Sequence, residues 1–246
     1  MLNFACLWLP IAVAQAGSNW QTVLNTHRVD SGRVNYGAIH REGSLDGHLK
    51  ALESATEPSD PAARMAFWIN AYNALTVDVV ADHFPIESIR NLDGGEVWKT
   101  RRFTVAGRSV SLDEIEHQIL RPLGDARIHF ALNCAALSCP TLRAQAFQAD
   151  TLDTQLERAS REWIVGNGIQ IDRANRRLSV AKIFEWYADD FTPVPDTTIP
   201  GVDARYQGVV QFIAGRVNDS DAKWIRTGGY ELIFMSYDWG LNGTGG

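Results

Sequence analysis

Two cysteines and a histidine that lie close together in the chain are the residues whose types and spacing could do chemistry. Residues 127–140 read RIHFALNCAALSCP and contain His129, Cys134 and Cys139. A thiol becomes a nucleophile when a base or a positive local field converts it to the thiolate, and histidine is the usual base. The segment therefore predicts thiol-dependent chemistry in which a cysteine attacks and a histidine moves the proton.

The expected backbone conformation limits which histidine can meet Cys134. Residues 127–133 are mostly apolar and predict a buried strand that leads into a loop. Successive side chains of a strand point to opposite faces, so His129 and Cys134 would lie on opposite sides. His117 lies on a different element, and the alternation places no constraint on it. Cys134 with His117 is therefore the second of two nucleophile–base pairs.

Cys139 is free of that constraint because the loop after the strand can curl back toward His129. Pro140 is suited to the first position of a helix, which would run through Ala146. A cysteine at the start of a helix gains from the helix dipole, which lowers the pKa of its thiol. Cys139 with His129 is therefore the preferred pair.

Several functions remain open for these residues. The first is a hydrolase or transferase acting on an amide or thioester, with the backbone amides of the cysteine loop holding the oxyanion. The second is a non-catalytic module that binds a peptide or an envelope component, with Cys134 and Cys139 joined as a disulfide. The two thiols could also be inert and buried. Zinc is a weaker option, because Cys-x4-Cys is not a usual zinc spacing.

The clearest predicted element is a long helix over about 61–83. Asp60 is a good N-cap, Pro61 suits the first helical position, and the helix should end before Pro85. Apolar side chains cover far more than one stripe, which is typical of a central, buried helix. Asn70 and Asn73 lie one turn apart on it, and we expect these buried amides to cross-link backbone segments rather than point into a site.

The remaining pattern predicts a single α+β domain over residues 17–246, with more helix than strand. A small, mainly antiparallel sheet should pack on the central helix. A hairpin is expected around residues 100–111, and strands near 169–172 and 177–180. Ser111 and Glu114 form a capping box that opens a helix to about Leu120. Residues 183–191, IFEWYADDF, mix aromatic and acidic side chains in a way typical of capping and core packing.

The N-terminal segment predicts export. Residues 2–16 contain no charged side chain and end in Ala-Gln-Ala, which is typical of a secretory signal peptide. The alternative is a buried N-terminal helix. The run is too short to span a bilayer, so no integral membrane span is expected once it is removed. The protein is therefore expected in the periplasm or outside the cell, where Cys134 and Cys139 would meet an oxidising environment.

Composition excludes several other classes of function. The 246 residues contain 23 Lys and Arg against 29 Asp and Glu, a formal charge of -6. A general nucleic-acid binder needs a basic surface, so no nucleic-acid partner is expected. Three cysteines rule out a scaffold built on disulfides. No glycine-rich phosphate loop and no Cys-x-x-Cys-His motif occurs, so no nucleotide, haem, flavin or other cofactor is expected.

Six motifs in order along the chain resemble those of the domain of unknown function 547 family. They are VDSGRVNY (29–36), FWINAYNAL (67–75), SLDEIEHQILRP (111–122), RIHFALNCAALSCP (127–140), IFEWYADDF (183–191) and YDWGLN (237–242). The resemblance covers nearly the whole chain, but the activity of the family is unsettled, so it implies little chemistry. Its bacterial members are often exported, in keeping with the N-terminal segment. Some plant members carry the domain after a coiled coil, which this chain lacks, so that mode of partner binding is not expected here.

The export hypothesis predicts cleavage near residue 16, after Ala14-Gln15-Ala16. Sequencing the N-terminus of the protein purified from its native host measures this directly. An intact Met1 on protein recovered from the cytoplasm would contradict it.

Overall fold

A computed structural model of the chain describes residues 11–29, 31–192 and 194–244, and of residues 11–18 it describes the backbone alone. Residues 1–10, which form most of the predicted signal peptide, lie outside the described residues. The export hypothesis therefore stays a prediction. No helix in the described part of the chain is long and apolar enough to cross a membrane.

Ten α-helices and five strands follow one another along the described residues. The helices are α1 (Ile11–His27), α2 (Tyr36–Glu42), α3 (Asp46–Glu53), α4 (Pro61–His83), α5 (Val97–Thr100), α6 (Leu112–Glu114), α7 (Leu152–Trp163), α8 (Ile183–Trp186), α9 (Gln207–Ala214) and α10 (Asp219–Thr227). The strands are β1 (Phe103–Val105), β2 (Arg108–Val110), β3 (Ile169–Asp172), β4 (Arg177–Val180) and β5 (Glu231–Phe234). The expected α+β class, with more helix than strand, is confirmed.

Short helices of other types join these elements. The 3-10 turns are Ile89–Asn91, Asp93–Gly95, Arg121–Leu123, Ala126–Phe130, Ala149–Thr151, Ala188–Asp190 and Ala204–Tyr206. Two π-helical segments, Ile115–Leu120 and Ile164–Gly168, continue α6 and α7. The π segment after α6 matters for function, because such segments often re-aim side chains at functional sites.

The central helix α4 forms as its sequence predicts. The Asp60 side chain accepts a hydrogen bond from the Ala63 amide at 2.8 Å, which satisfies one of the free donors at the helix start. The helix ends at His83, and nearly every side chain from Met65 to Ala81 is buried. α4 therefore supplies apolar contacts on all sides.

Two small sheets flank the helices, where a single sheet was expected. β1 and β2 form the predicted antiparallel hairpin, and Val105 and Val110 share an apolar cluster with α4. β3 and β4 pair antiparallel, but β5 pairs with β4 in parallel. The buried residues of this second sheet belong to a separate cluster around Phe130 and Phe184, not to the surroundings of α4.

The expected strand over 127–133 is wrong, because this segment contains the 3-10 turn Ala126–Phe130. Asp125 caps the turn by accepting a hydrogen bond from the Arg127 amide at 2.9 Å. Ile128, His129 and Phe130 are all buried. The segment is therefore apolar because it is enclosed on every side, not because it forms one strand of a sheet. The alternation argument that separated His129 from Cys134 therefore does not apply.

The helix expected from Pro140 to Ala146 is also wrong. Side-chain amides hold this segment in an irregular conformation. Asn133 Nδ2 donates to the Pro140 carbonyl at 2.7 Å, and Gln21 Oε1 accepts from the Ala146 amide at 2.9 Å. Since no helix begins there, no helix dipole acts on Cys139.

The cluster around Phe130 predicts a large loss of stability on truncation. Phe130 is 1% exposed, and its ring lies 5.4 Å from Trp163, 5.7 Å from Phe184 and 5.6 Å from Phe212. Phe130→Ala should lower the free energy of unfolding by about 3–5 kcal/mol, measured by urea denaturation. The control Val165→Ala, at a side chain that is 61% exposed, should change it by less than about 0.5 kcal/mol. A loss of under about 1 kcal/mol for Phe130→Ala would contradict the packing described here.

Candidate functional site

A ladder of buried asparagines holds the loop that carries the two cysteines. Asn73 on α4 donates to the Ala131 carbonyl at 2.9 Å and accepts from the Asn133 amide at 2.8 Å. Asn133 in turn donates to the Pro140 carbonyl and accepts from the Ala135 amide at 3.1 Å. Both ends of the loop are therefore fixed to the central helix, and the structural role predicted for Asn73 is confirmed.

The C-terminal segment ties the same loop from the other side. Asn242 Nδ2 donates to Asn133 Oδ1 at 3.2 Å, and Asn242 Oδ1 accepts from the Tyr36 hydroxyl at 2.6 Å. The Leu137 amide donates to the Gly240 carbonyl at 2.7 Å. These bonds bring Tyr237 to the cysteines, although it is far from them in the sequence.

The two thiols face each other across this loop. Ala135 adopts a left-handed conformation with φ +65°, which turns the chain sharply after Cys134. The sulfurs of Cys134 and Cys139 are 2.7 Å apart and are not bonded to one another. The Cys134 amide donates to Cys139 Sγ at 2.8 Å, and the Tyr237 hydroxyl lies 3.1 Å from Cys134 Sγ. Cys139 is buried, whereas Cys134 is partly exposed.

The surroundings push the pKa values of the two thiols apart. The hydrogen bond between the two thiols lowers the pKa of Cys134 most, and although burial raises it, the Tyr237 hydroxyl and the Ala136 amide lower it further. Burial and the neighbouring Cys134 sulfur raise the pKa of Cys139 well above its usual value. Of the two thiols, Cys134 is therefore the one that loses its proton more readily, which is the reverse of the order expected from a helix beginning at Pro140.

His129 is held by a carboxylate and an aromatic ring rather than by a thiol. Its Nε2 lies 2.7 Å from Asp190 Oδ2, and since a carboxylate only accepts, Nε2 carries a proton and donates it. The imidazole stacks on Tyr187 with the ring centroids 3.9 Å apart. Its Nδ1 faces Glu116 Oε1 at 3.8 Å. Both nitrogens of His129 are therefore directed at acidic groups.

Arg121 completes this group of charges. Its guanidinium donates to both oxygens of Asp190 at 2.7 Å. Although partial burial raises the pKa of Asp190, the hydrogen bonds from His129 and Arg121 outweigh it and hold this pKa below its usual value. Asp190 is thus a carboxylate that orients His129. Burial, with the adjacent Glu116 carboxylate, raises the pKa of Tyr187, whose hydroxyl donates to Glu116.

His117 lies on the π segment and is also engaged elsewhere. An Arg121 N–H donates to its Nδ1 at 3.1 Å, and its Nε2 is 3.6 Å from Asp113 Oδ1. In the described part of the chain neither thiol hydrogen-bonds to either histidine. Both predicted nucleophile–base pairs therefore share one pocket without direct contact between their members.

One pocket of about 330 Å³ joins these groups. Cys134, Cys139, His117 and His129 all line it, so the structure brings the four predicted site residues together. Its aromatic lining consists of Tyr72, Trp98, Trp186, Tyr187, Tyr237 and Trp239. Within the described residues no group of three or more His, Cys, Asp or Glu side chains is arranged to hold a metal ion.

The backbone amides of the cysteine loop are already engaged. The Cys134 amide donates to Cys139 Sγ, the Ala135 amide to Asn133 Oδ1 and the Ala136 amide to Cys134 Sγ. The amides of Leu137, Ser138 and Cys139 donate to the carbonyls of Gly240, Asp238 and Ala136. The loop therefore offers no free amide that could hold an oxyanion, contrary to the expectation from the sequence.

Four site residues escaped the sequence analysis. Asp190 and Tyr187 belong to the motif at 183–191, which is typical of capping and packing. Tyr237 belongs to the motif at 237–242, and Glu116 to the motif at 111–122. The first two lie 61 and 58 positions from His129, so only the motifs themselves could have pointed to them.

The pKa order predicts that Cys134 is the more reactive thiol. In the reduced protein iodoacetamide should label Cys134 before Cys139, and the rate should rise at a pH below the value of about 8.5 expected for a free thiol. Tyr237→Phe removes a hydrogen-bond donor to the Cys134 thiolate. The midpoint, which is the pH at which Cys134 labelling reaches half its maximal rate, should therefore rise by about 0.5–1 pH unit. Labelling is followed by peptide mass spectrometry across pH.

The matched control is Tyr206→Phe, whose ring packs on Phe234 with the centroids 4.8 Å apart, outside the pocket. It should leave the midpoint unchanged. Faster labelling of Cys139, or equal midpoints for the two variants, would contradict the assignment of the charge to Cys134.

The comparisons with known proteins agree with the motifs. No curated protein and no solved structure matches the chain significantly. A family model, described as protein of unknown function, DUF547, matches residues 57–164. This segment contains both histidines and both thiols, whereas Tyr187, Asp190 and Tyr237 lie beyond it. Residues 57–164 are therefore similar to the DUF547 family, in keeping with the resemblance that the motifs indicated.

Proposed function

We propose that this protein is a thiol–disulfide oxidoreductase in which Cys134 attacks the substrate and Cys139 resolves the intermediate. The observation that carries the proposal is the asymmetry of the pair. The partly exposed thiol has the lowered pKa, and the buried thiol, 2.7 Å away, has the raised one. Disulfide exchange needs this combination of an attacking thiolate and a protected second thiol.

The reaction balances with a substrate disulfide as the oxidant. The Cys134 thiolate attacks one sulfur of the substrate, a mixed disulfide forms, and the other substrate sulfur leaves as a thiolate. Cys139 then attacks Cys134 Sγ, its proton passes to a released thiolate, and the second substrate sulfur leaves. The protein loses two electrons and gains a Cys134–Cys139 bond. The substrate disulfide is reduced to one thiol and one thiolate, and the thiolate takes from solvent the proton that Cys134 had released.

The surroundings of each sulfur suit its proposed role. Cys134 lines the pocket and receives the Tyr237 hydroxyl and the Ala136 amide, which stabilise its thiolate. Cys139 Sγ receives the Cys134 amide, which stabilises the charge on Cys139 once Cys134 is bound to substrate. Cys139 is buried whereas Cys134 is partly exposed, so a substrate in the pocket meets Cys134 more readily.

The second candidate is the hydrolase or transferase on an amide or thioester that the sequence suggested. The pair of His129 and Asp190 favours it, since a histidine oriented by a carboxylate is the usual partner of a catalytic thiol. Two observations count against it. The loop amides are engaged, and His129 would have to turn away from Asp190 and Glu116 to take a proton from Cys134.

Export is part of the proposal. A signal peptide over residues 1–16 would deliver the pair to the periplasm or the exterior, where disulfides form and persist. An exported peptide or an envelope component would then supply the substrate disulfide.

The test is a pair of cysteine variants in a Cys6→Ser background, which removes the third thiol of the chain. With hydroxyethyl disulfide, Cys139→Ser should accumulate a stable mixed disulfide on Cys134, because the resolving thiol is missing. Cys134→Ser should react only slowly. The parent, which is the Cys6→Ser protein with both cysteines intact, should rapidly form the internal Cys134–Cys139 disulfide. Leu137→Ala, at an exposed side chain of the same loop, is the control and should behave as the parent does.

The alternatives give other results in the same variants. If Cys139→Ser keeps full activity on a thioester and the parent forms no internal disulfide, acyl transfer replaces the proposal. If the purified protein already holds a Cys134–Cys139 disulfide that resists reduction in the folded state, the bond is a structural staple, and the non-catalytic binding module replaces it. Mass spectrometry without reduction distinguishes these cases.

A further inference from the structure

We infer that the pocket selects a substrate disulfide that carries an amino group, so that a cationic disulfide is preferred over a neutral or anionic one. The inference rests on the proposed thiol–disulfide exchange and adds the chemical class of the substrate. The charges and the aromatic rings around Cys134 carry it.

Carboxylates outnumber fixed cations in the pocket. Among the described lining residues Glu96, Asp113 and Glu116 are acidic, and Lys99 is the one lysine or arginine. Lys99 Nζ pairs with Glu96 at 3.2 Å, and both side chains are more than half exposed, at the rim. Asp113 and Glu116 remain as the inner acidic groups.

Glu116 is the carboxylate best placed to receive an ammonium group. Its side chain is 13% exposed, and in the described structure it contacts the Tyr187 hydroxyl and His129 Nδ1 but no lysine or arginine. Arg121, the nearest guanidinium in this group of charges, donates two hydrogen bonds to Asp190 and is not part of the pocket lining. An anionic substrate would therefore find no guanidinium among the residues that line the pocket.

The aromatic lining also favours a cation. The face of an aromatic ring carries negative charge density and attracts ammonium and guanidinium groups. Two cations of the chain already use these rings, since Arg90 lies 5.1 Å from the centroid of Trp239 and Arg121 lies 5.4 Å from that of Tyr187. Trp186 is 43% exposed and stacks on Trp239 at 5.9 Å, so it presents a free aromatic surface at the mouth of the pocket.

The size of the pocket limits the substrate to a small group. A volume of about 330 Å³ is at the lower end for small-molecule sites. An aminoalkyl disulfide fits this volume, with its sulfur at Cys134 and its ammonium at Glu116. The same ammonium would offset the Glu116 charge that raises the pKa of Cys134, so the preferred substrate also favours the attacking thiolate.

Three small disulfides of different charge test the inference. Cystamine is a dication, hydroxyethyl disulfide is neutral, and dithiodipropionate is a dianion at neutral pH. The rate at which each reagent oxidises the reduced protein is divided by the rate at which it oxidises free dithiothreitol. This normalised rate is corrected for the different intrinsic reactivities of the three reagents. At low ionic strength the normalised rate should fall in that order, by about tenfold or more from dication to dianion, and salt should narrow the range.

Glu116→Gln should reduce this selectivity in a manner that a merely structural role would not produce. The normalised rate with cystamine should fall, while that with the neutral disulfide should rise, because a charge that opposes the Cys134 thiolate is removed. Glu53→Gln is the matched control, since Glu53 is exposed on α3 and lies outside the pocket. It should leave all three rates unchanged.

The outcomes separate the two proposals. If all three reagents oxidise the pair rapidly at equal normalised rates, or if Glu116→Gln lowers all of them alike, the substrate class is wrong and thiol–disulfide exchange still holds. If no reagent reacts faster than with free dithiothreitol, the proposed exchange fails, and the substrate class fails with it. A preference for dithiodipropionate would overturn the inference directly.

Discussion

The buried side chain of Asn133 is the interaction on which the rest of the site depends. Its amide nitrogen holds the Pro140 carbonyl, its oxygen accepts from Ala135 and Asn242, and its backbone amide is held by Asn73. Asn73, Asn133 and Asn242 are all buried, where a polar group without a partner costs about 1–3 kcal/mol. The central helix, the cysteine loop and the C-terminal segment must therefore assemble together, because each of them satisfies polar groups of the others.

This shared network explains how distant parts of the sequence form one pocket. The segment that matches the family model supplies both thiols and both histidines. The residues that tune them lie beyond it: Asp190 orients His129, and Tyr237 lowers the pKa of Cys134. Tyr237 is held near Cys134 by the residues that follow it, since Asp238, Gly240 and Asn242 all hydrogen-bond to the cysteine loop. The chemistry of the family segment in this chain is thus completed from outside that segment.

The features predicted correctly from the sequence are those with local causes. The Asp60 cap and the capping box of Ser111 and Glu114 involve neighbours in the chain, and both form as expected. The strands β3 and β4 also begin and end where turn residues indicate.

The predictions that failed have non-local causes. Residues 127–133 are mostly apolar because they pack into two clusters, Ile128 with α4 and Phe130 with Phe184. Residues 140–146 are held by the side chains of Asn133 and Gln21. Asp190 and Tyr187 joined the site for the same reason, since nothing near them in the sequence marks their contact with His129.

The engaged loop amides also bear on the choice between the two thiol chemistries. Acyl transfer needs donors that are free in the resting enzyme and aimed at a developing oxyanion. Here the Cys134 amide, which lies nearest to the attacking sulfur, already donates to Cys139 Sγ. Disulfide exchange develops charge on sulfur instead. The Cys134 amide already faces Cys139 Sγ, and the Ala136 amide and the Tyr237 hydroxyl already face Cys134 Sγ. The hydrogen bonds that deprive acyl transfer of an oxyanion hole are therefore the ones that stabilise each thiolate in turn, and this is why the same loop favours exchange between Cys134 and Cys139.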